Sequence, residues 1–413
     1  MRPIWLLLVA LPLAACGGTI ASETPTAVSR QIRGELSALQ LSVLEEIREA
    51  VEEDFVYPDL GGADWESEVA LVRHRIEAGL TQLEFASAVD ELVAALPEGT
   101  ASYLSRAQRV EAEFQSGTLY EGIGAFVSLR TEPQPRILLL SVISGSPAEE
   151  AGLRAHDAVY KVDGFPVTEE EGLSIVARIR GPAGTEVLLE VGSPGEDPRE
   201  VMVRRDRVTA ADTLKGDLVP PGMLYVLVPV AVADNTLAET MAGLLQVSEQ
   251  QAEPVQGLVL DLRIAGSSSS WPLTEMLSLF GNGSMGRFVT RAGEQPLIIP
   301  AAGIFNSQTI PLAILVGPDT SGAPEVFAAA LQAVGRAALV GLPTGGHALG
   351  FRQQTLSDGS MLTFADSSYI SPQGRDLGIT GLTPDLQIQA DWDEVTPESD
   401  PVLQSAIDLL LRS

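Results

Sequence analysis

The run Ile179-Arg180-Gly181-Pro182-Ala183-Gly184-Thr185 joins two different periodicities. Residues 169–179 before it read as a helix-like segment and residues 186–191 after it as a short β-rich run, so the Gly/Pro cluster is the turn between them. Working outward, β-rich runs recur at 137–142, 158–162 and 200–204, with a helix-like segment at 147–151. Together they predict a small β-rich domain over residues 119–207. On its N-terminal side, residues 31–118 carry apolar residues at helical spacing, for example Leu41, Val43, Leu44, Ile47 and Val51, then Val69, Leu71, Val72, Ile76 and Leu80. On its C-terminal side, 257–262 and 312–316 read as buried strands, each followed by a helical pattern (271–280 and 324–334), and 337–340 as a third strand. This alternation predicts an α/β core with parallel strands over residues 208–390 and an amphipathic C-terminal helix within 391–413.

Composition narrows the chemistry. At 413 residues, 45% hydrophobic and 20% charged, the chain is long enough for two or three domains with real cores. Twenty-six Lys+Arg against 55 Asp+Glu give a formal charge of −29 with no basic stretch, which excludes a surface built for nucleic-acid phosphates. The only lysines are Lys161 and Lys215, the only histidines His74, His156 and His347, and the only cysteine Cys16. A disulfide within the chain is therefore excluded, no Cys/His spacing suits a metal, and no cofactor is expected. Gly281-Asn282-Gly283-Ser284-Met285-Gly286 has the spacing of a dinucleotide loop but follows a helical pattern without a βαβ context, so it reads as chance.

Residues 1–16 read as a signal peptide, with Arg2 as the positive end and an apolar run at 4–13 too short to span a membrane. Its end, Leu13-Ala14-Ala15-Cys16, resembles a bacterial lipobox. That resemblance implies lipidation of Cys16, a place in the bacterial cell envelope and, with Gly17 following, the outer membrane facing the periplasm. Residues 17–30 then form a tether, and the lipid is the only expected membrane contact.

The β-rich piece resembles a PDZ domain through Tyr120-Glu121-Gly122-Ile123-Gly124, Gly145-Ser146-Pro147-Ala148, Ala151-Gly152-Leu153, Val162-Asp163-Gly164 and the opening run. With Leu260-Asp261-Leu262-Arg263, Val334-Gly335-Arg336-Ala337, Leu356-Ser357-Asp358-Gly359-Ser360 and Gly381-Leu382-Thr383-Pro384-Asp385, nearly the whole mature chain is similar to the C-terminal processing peptidases, or tail-specific proteases. Val56-Tyr57-Pro58-Asp59, Ala63-Asp64-Trp65 and Ser102-Tyr103-Leu104-Ser105 extend the likeness into the helical unit. The resemblance implies a spiral α/β core of the ClpP/crotonase type with an inserted PDZ domain and an N-terminal helical unit. It also implies a serine nucleophile, a lysine base and a supporting glutamine acting on protein C-termini. A serine hydroxyl becomes nucleophilic only when a base within hydrogen-bond reach takes its proton, and a lysine can do so only where burial holds its pKa down.

This chain departs from that pattern at the reactive positions. The family's Ser-Ala-Ser-Glu run reads Gly322-Ala323-Pro324-Glu325, so the nucleophile position holds Gly322. The base position holds His347, within Thr344-Gly345-Gly346-His347-Ala348, and the glutamine position holds Phe351, with Gln353 and Gln354 close by. The run that helps form the oxyanion hole reads Ile264-Ala265-Gly266-Ser267-Ser268. Lys161 falls in a strand of the PDZ-like domain and Lys215 just after it, neither at the base position. The expectation is a non-catalytic homologue, with Pro324 tolerated in the first turn of a helix. The alternative is a serine-type endopeptidase with a relocated constellation, Ser321 activated by His347 and oriented by Asp319 or Glu325. His74 and His156 are expected to have no functional role.

Peptide capture needs no dyad. The resemblance places Gly122, Ile123, Gly124 and Ala125 as the loop whose N–H groups receive a terminal carboxylate, with Ile123 lining the pocket for the last side chain, while the peptide adds as a strand. The expected partners are protein C-termini or extended peptides, with an active protease paralogue as a further candidate.

Overall fold

The computed structural model describes residues 27–109, 119–171, 175–209, 214–230, 234–250, 254–266, 271–346, 348–378, 380–396 and 398–412. Helices α1 (Ala27–Asp54), α2 (Trp65–Ala78) and α3 (Gln82–Val93) come first, then strand β1 (Ala101–Leu104). The Asp64 side chain caps α2, and Thr81 with Glu84 forms a reciprocal capping box on α3, satisfying N–H groups that a helix start leaves open. Helix α1 begins at Ala27, inside the segment expected to be tether. The helical unit also contains a strand that helical spacing did not reveal. No helix among the described residues is long and apolar enough to cross a membrane.

The β-rich domain holds β2 (Leu119–Gly122), β3 (Ala125–Arg130), β4 (Arg136–Val142), α4 (Pro147–Glu150), β5 (Ala158–Val162), β6 (Phe165–Pro166), α5 (Val176–Ile179), β7 (Glu186–Gly192), β8 (Arg199–Arg204) and β9 (Asp206–Thr209). Its sheet runs β3-β4-β5-β7-β8, leaving β3 as an edge. The helix expected over 169–179 is described only as the single turn α5; 172–174 lie outside the described residues. The middle of strand β4, Ile137 to Leu140, is apolar on both faces for a geometric reason. Ile137 and Leu139 face the domain's own core, while Leu138 and Leu140 face a second cluster with Ile264 and Trp392 of the following domain.

The core follows as β10 (Lys215–Val219), β11 (Met223–Leu227), α6 (Asp234–Glu249), β12 (Gly257–Asp261), α7 (Leu273–Phe280), β13 (Gly283–Thr290), β14 (Gly293–Ile299), β15 (Leu312–Val316), α8 (Ala323–Ala333), β16 (Ala338–Gly341), β17 (Leu349–Thr355), β18 (Met361–Ile370), β19 (Leu386–Gln387) and α9 (Pro401–Leu410). A six-stranded sheet, β10-β11-β12-β15-β16-β19, is parallel from β11 onward, as the alternation of strands and helices required. Leu258 and Leu260 of β12 face α6, α7 and α8, and Val259 faces α9, so both faces are covered. A second sheet, β1-β18-β13-β14 with β17 on β18, is antiparallel and carries the helical unit, whose core includes Leu362 and Phe364 of β18. The segment before α9 is not helical throughout: a 3₁₀ turn at Trp392–Glu394 reaches across to the β-rich domain.

Candidate active-site cleft and its docked PDZ domain

Strands β12 and β15 lie side by side, and the loops at their carboxyl ends are tied together. Thr320 Oγ1 donates to the Leu262 carbonyl (2.8 Å) and accepts from Gly317 N–H (3.0 Å), while Ser321 N–H donates to the Ala265 carbonyl (3.1 Å). The β15 loop enters α8 through Gly322, the N-cap, at φ +64° and ψ −132°. A strained strand-to-helix turn is the device that projects a nucleophile in other hydrolases; at this one the residue has no side chain. Its neighbour Ser321 faces the other loop, since a Cβ built on Gly266 would lie 3.4 Å from the Ser321 hydroxyl.

Helix α8 also holds the third loop of the cleft. Glu325 is fully buried in its first turn, and its carboxylate accepts from the Thr344 hydroxyl and from Gly346 N–H (3.3 Å). Leu382 N–H donates to Thr344 Oγ1 (2.7 Å), and Gly381, at φ +65°, passes so close that a Cβ there would lie 2.4 Å from the Thr344 carbonyl. His347 and Ser267 to Ser270 lie outside the described residues, as does Cys16. Phe351 is 43% exposed on β17, with Gln353 exposed beyond it. Lys161 is on β5 and pairs with Glu190 (2.7 Å); Lys215 is on β10, separated from β12 by β11. Among the described residues no group of three or more His, Cys, Asp and Glu could hold a metal.

Beneath the loops the remaining sequence landmarks are structural. Arg263 donates to Asp261 (2.7 Å) and Asp400 (2.6 Å), the N-cap of α9, and Tyr225 donates to Asp261 (2.8 Å). Burial opposes the charge on Arg263, but the two carboxylates outweigh it and raise its pKa. Burial, with Asp261 adding to it, pushes the Tyr225 phenol far up. Arg336 donates to the carbonyls of Phe280 (2.9 Å), Ser307 (2.7 Å) and Ile310 (2.9 Å), closing the end of α7, and burial lowers its pKa. Asp385 accepts Leu339 N–H (2.8 Å), tying the chain before β19 to β16.

The β-rich domain is docked over these loops. Arg130 pairs with Asp319 (2.6 Å) and Asp391 (2.7 Å), Arg136 pairs with Asp393 (2.6 Å), and Ser128 also donates to Asp319. Asp319 is thereby tied to the docked domain. Ile264, at an oxyanion-run position, is buried against Leu138 and Leu140. His156, expected to be idle, stacks on Trp392 with ring centroids 4.1 Å apart. An Asp391-Trp392-Asp393 triplet facing Arg130 and Arg136 was the signal in the sequence, but its pairing crosses some 250 residues and no local pattern announces it.

In the candidate peptide loop, Gly124 adopts φ +84°, where a Cβ would meet the Ser146 side chain at 2.3 Å. The Gly124 carbonyl accepts from Ile143 N–H (2.9 Å) and the Ser146 hydroxyl (3.2 Å), and that of Ile123 from Ala148 N–H (2.8 Å). Ile123 is buried in the domain's core, and Ala125 opens the edge strand β3.

The profile of peptidase family S41 matches residues 225–388, and a PDZ domain profile matches residues 139–191. A carboxyl-terminal-processing protease of Synechocystis is 29% identical over 331 residues, 78% of this chain and 76% of that protein. These matches support a member of the C-terminal processing peptidase family. A probable CtpA-like serine protease of Staphylococcus aureus is 25% identical over 308 residues, and the chain spans 59% of its length. The fold also matches the solved photosystem II D1 C-terminal processing protease, with a TM-score of 0.62 at 24% identity over 91% of this chain and 96% of that one. Mature CPAF matches with a TM-score of 0.58 at 11% identity, over 91% and 99%. The family's spiral α/β core with an inserted PDZ domain is the architecture of this chain.

Proposed function

We propose that this family member is non-catalytic and binds protein C-termini or extended peptides through its PDZ domain. The observation that carries the reading is Gly322: the strained entry to α8, where the family's nucleophile is expected, bears no side chain. Support comes from Lys161, held in a PDZ strand by Glu190, and from Phe351, an exposed aromatic where an amide is expected. Capture asks less of the sequence, because it draws on backbone. The carbonyls of Ile123 and Gly124 are turned into the domain, and β3 next to them is an open sheet edge suited to an added strand.

The test is hydrolysis of an unstructured reporter protein with an apolar C-terminal tail by the chain from Gly17 and by its Ser321→Ala variant, with tail binding followed by fluorescence anisotropy. The expected result is binding without cleavage by either. Cleavage by the parent that is lost in the variant would overturn the proposal. One observation favours that second reading, a peptidase using Ser321 and His347: the Ser321 hydroxyl faces Gly266 in the loop that would supply oxyanion donors. In it the orienting carboxylate would be Glu325, which also accepts from Thr344 and Gly346, since Asp319 is paired with Arg130.

The N-terminal sequence supports attachment through acylated Cys16 to the outer membrane, facing the periplasm. Incorporation of labelled fatty acid, abolished by Cys16→Ala, is the expected outcome. An active protease paralogue is the proposed second partner, to be sought by crosslinking in intact cells.

A further inference from the structure

His156 has φ +74°, in the left-handed region that L side chains avoid. Such a conformation persists only where its surroundings over-determine it, and here they do. The Nδ1–H donates to the Trp392 carbonyl (2.7 Å), and the ring lies over the Trp392 indole at 4.1 Å and 30°. The Arg263 guanidinium of the core sits 5.2 Å from the same indole. The contact is the middle of the docking surface, with Leu138, Leu140 and Ala158 of the PDZ domain against Ile264 and Trp392 of the core. Arg130 and Arg136 bound it through Asp319, Asp391 and Asp393.

The charges around the imidazole come from every element packed there. The core contributes Arg263, Asp261 and Asp400. The 3₁₀ turn contributes Asp391 and Asp393, both taken up by arginines, and Glu394, whose carboxylate accepts Asp391 N–H at 3.0 Å. On the histidine's own turn, Asp157 is held by Ser193 (2.6 Å) and Arg154 N–H (3.0 Å) and faces Arg199 (3.6 Å), while the Arg154 guanidinium turns to Glu196 (3.5 Å). Burial is the main force against a charge on the ring and Arg263 adds to it; the Trp392 carbonyl, Asp261 and Asp400 oppose them without prevailing, so the His156 pKa is lowered.

We propose that His156 is a proton-controlled latch: the neutral imidazole holds the PDZ domain down on the Ile264 and Asp319 loops, and its protonation loosens that docking. The sign follows from linkage. A histidine whose docked pKa lies below its free value of about 6.5 favours docking fully above that pH, and the gain is lost as pH falls toward the docked value. Asp391 is held below its ordinary value, since the Arg130 and Arg136 contacts outweigh its burial, so its own pairing with Arg130 survives through this window. The latch stands whether or not the cleft is catalytic.

The soluble chain from Gly17 contains no cysteine, so spin labels can be placed at the exposed Met202→Cys on β8 and Val247→Cys on α6. Their separation is measured in rising urea at about pH 7.5 and about pH 5.5, with circular dichroism reporting unfolding. The expected result is a longer distance that appears before either domain unfolds and at less urea in acid. Its share should grow by at most about tenfold per pH unit, the limit for one proton. In His156→Asn, where the side chain tolerates positive φ and gains no charge, the undocking step should remain and its pH dependence vanish. An unchanged pH dependence in that variant, or no undocking step separate from unfolding, overturns the latch. Trp392→Ala should be undocked at less urea at both pH values; docking unaffected by it also overturns the latch.

Discussion

On the floor of the cleft Arg263 is held between Asp261 and Asp400, while on the rim Gly322 offers no side chain and Phe351 turns 43% of its surface outward. The two regions answer to different constraints. Each floor residue is buried and satisfied by another, so removing one strands a charge or a carbonyl in a place water cannot reach. Each rim residue would matter only when a substrate is present, and the fold does not depend on it. Family likeness is therefore carried by the floor, and chemistry by the rim, and the two can separate.

The largest effect should come from the floor. Arg263→Ala leaves Asp261, fully buried, without its cation and should cost about 3–5 kcal/mol in urea unfolding. A cost near that of a rim substitution would break the comparison. Next is Gly124→Ala in the peptide loop, where the added Cβ meets Ser146 at 2.3 Å and φ is +84°. Strain of about 1–3 kcal/mol should weaken tail binding by roughly tenfold or more while the core's unfolding is unchanged. Gly322→Ser puts a hydroxyl on the rim at φ +64° and should cost about 1 kcal/mol; on the proposed non-catalytic reading it should not create hydrolysis, because neither lysine of the chain lies at the base position. Hydrolysis by this variant would mean that the rim keeps a working base in His347.

Acid sharpens the same contrast. Asp391 titrates below its ordinary range, so its share of stability is complete above about pH 3.9 and lost as pH falls further. Asp391→Asn should flatten acid unfolding in that range. The smallest effect belongs to Lys161→Ala, an exposed pair with Glu190 worth at most about 1 kcal/mol, with tail binding unmoved.

Much of this could be read before any coordinates. Strand 312–316, helix 324–334 and the parallel α/β order were legible because a fully buried strand and an amphipathic helix each write their burial into local periodicity. The apolar run at 137–142 was legible as a strand too, but not the second face it buries, since period two cannot say what covers the other side. β1 and the Trp392 turn were missed because their partners, β18 and the PDZ sheet, are hundreds of residues away.

Sequence alone determined the family likeness, the identities of Gly322 and His347, and the scarcity of lysine, since these are matters of which atoms the chain possesses. Only the tertiary structure decided that Asp319 serves the docked PDZ domain, that Ser321 faces Gly266 and that His156 lies on Trp392. The reason is physical: what a side chain can do is set by its atoms, but what it does is set by the neighbours that burial brings within a few ångströms, and those come from distant parts of the chain.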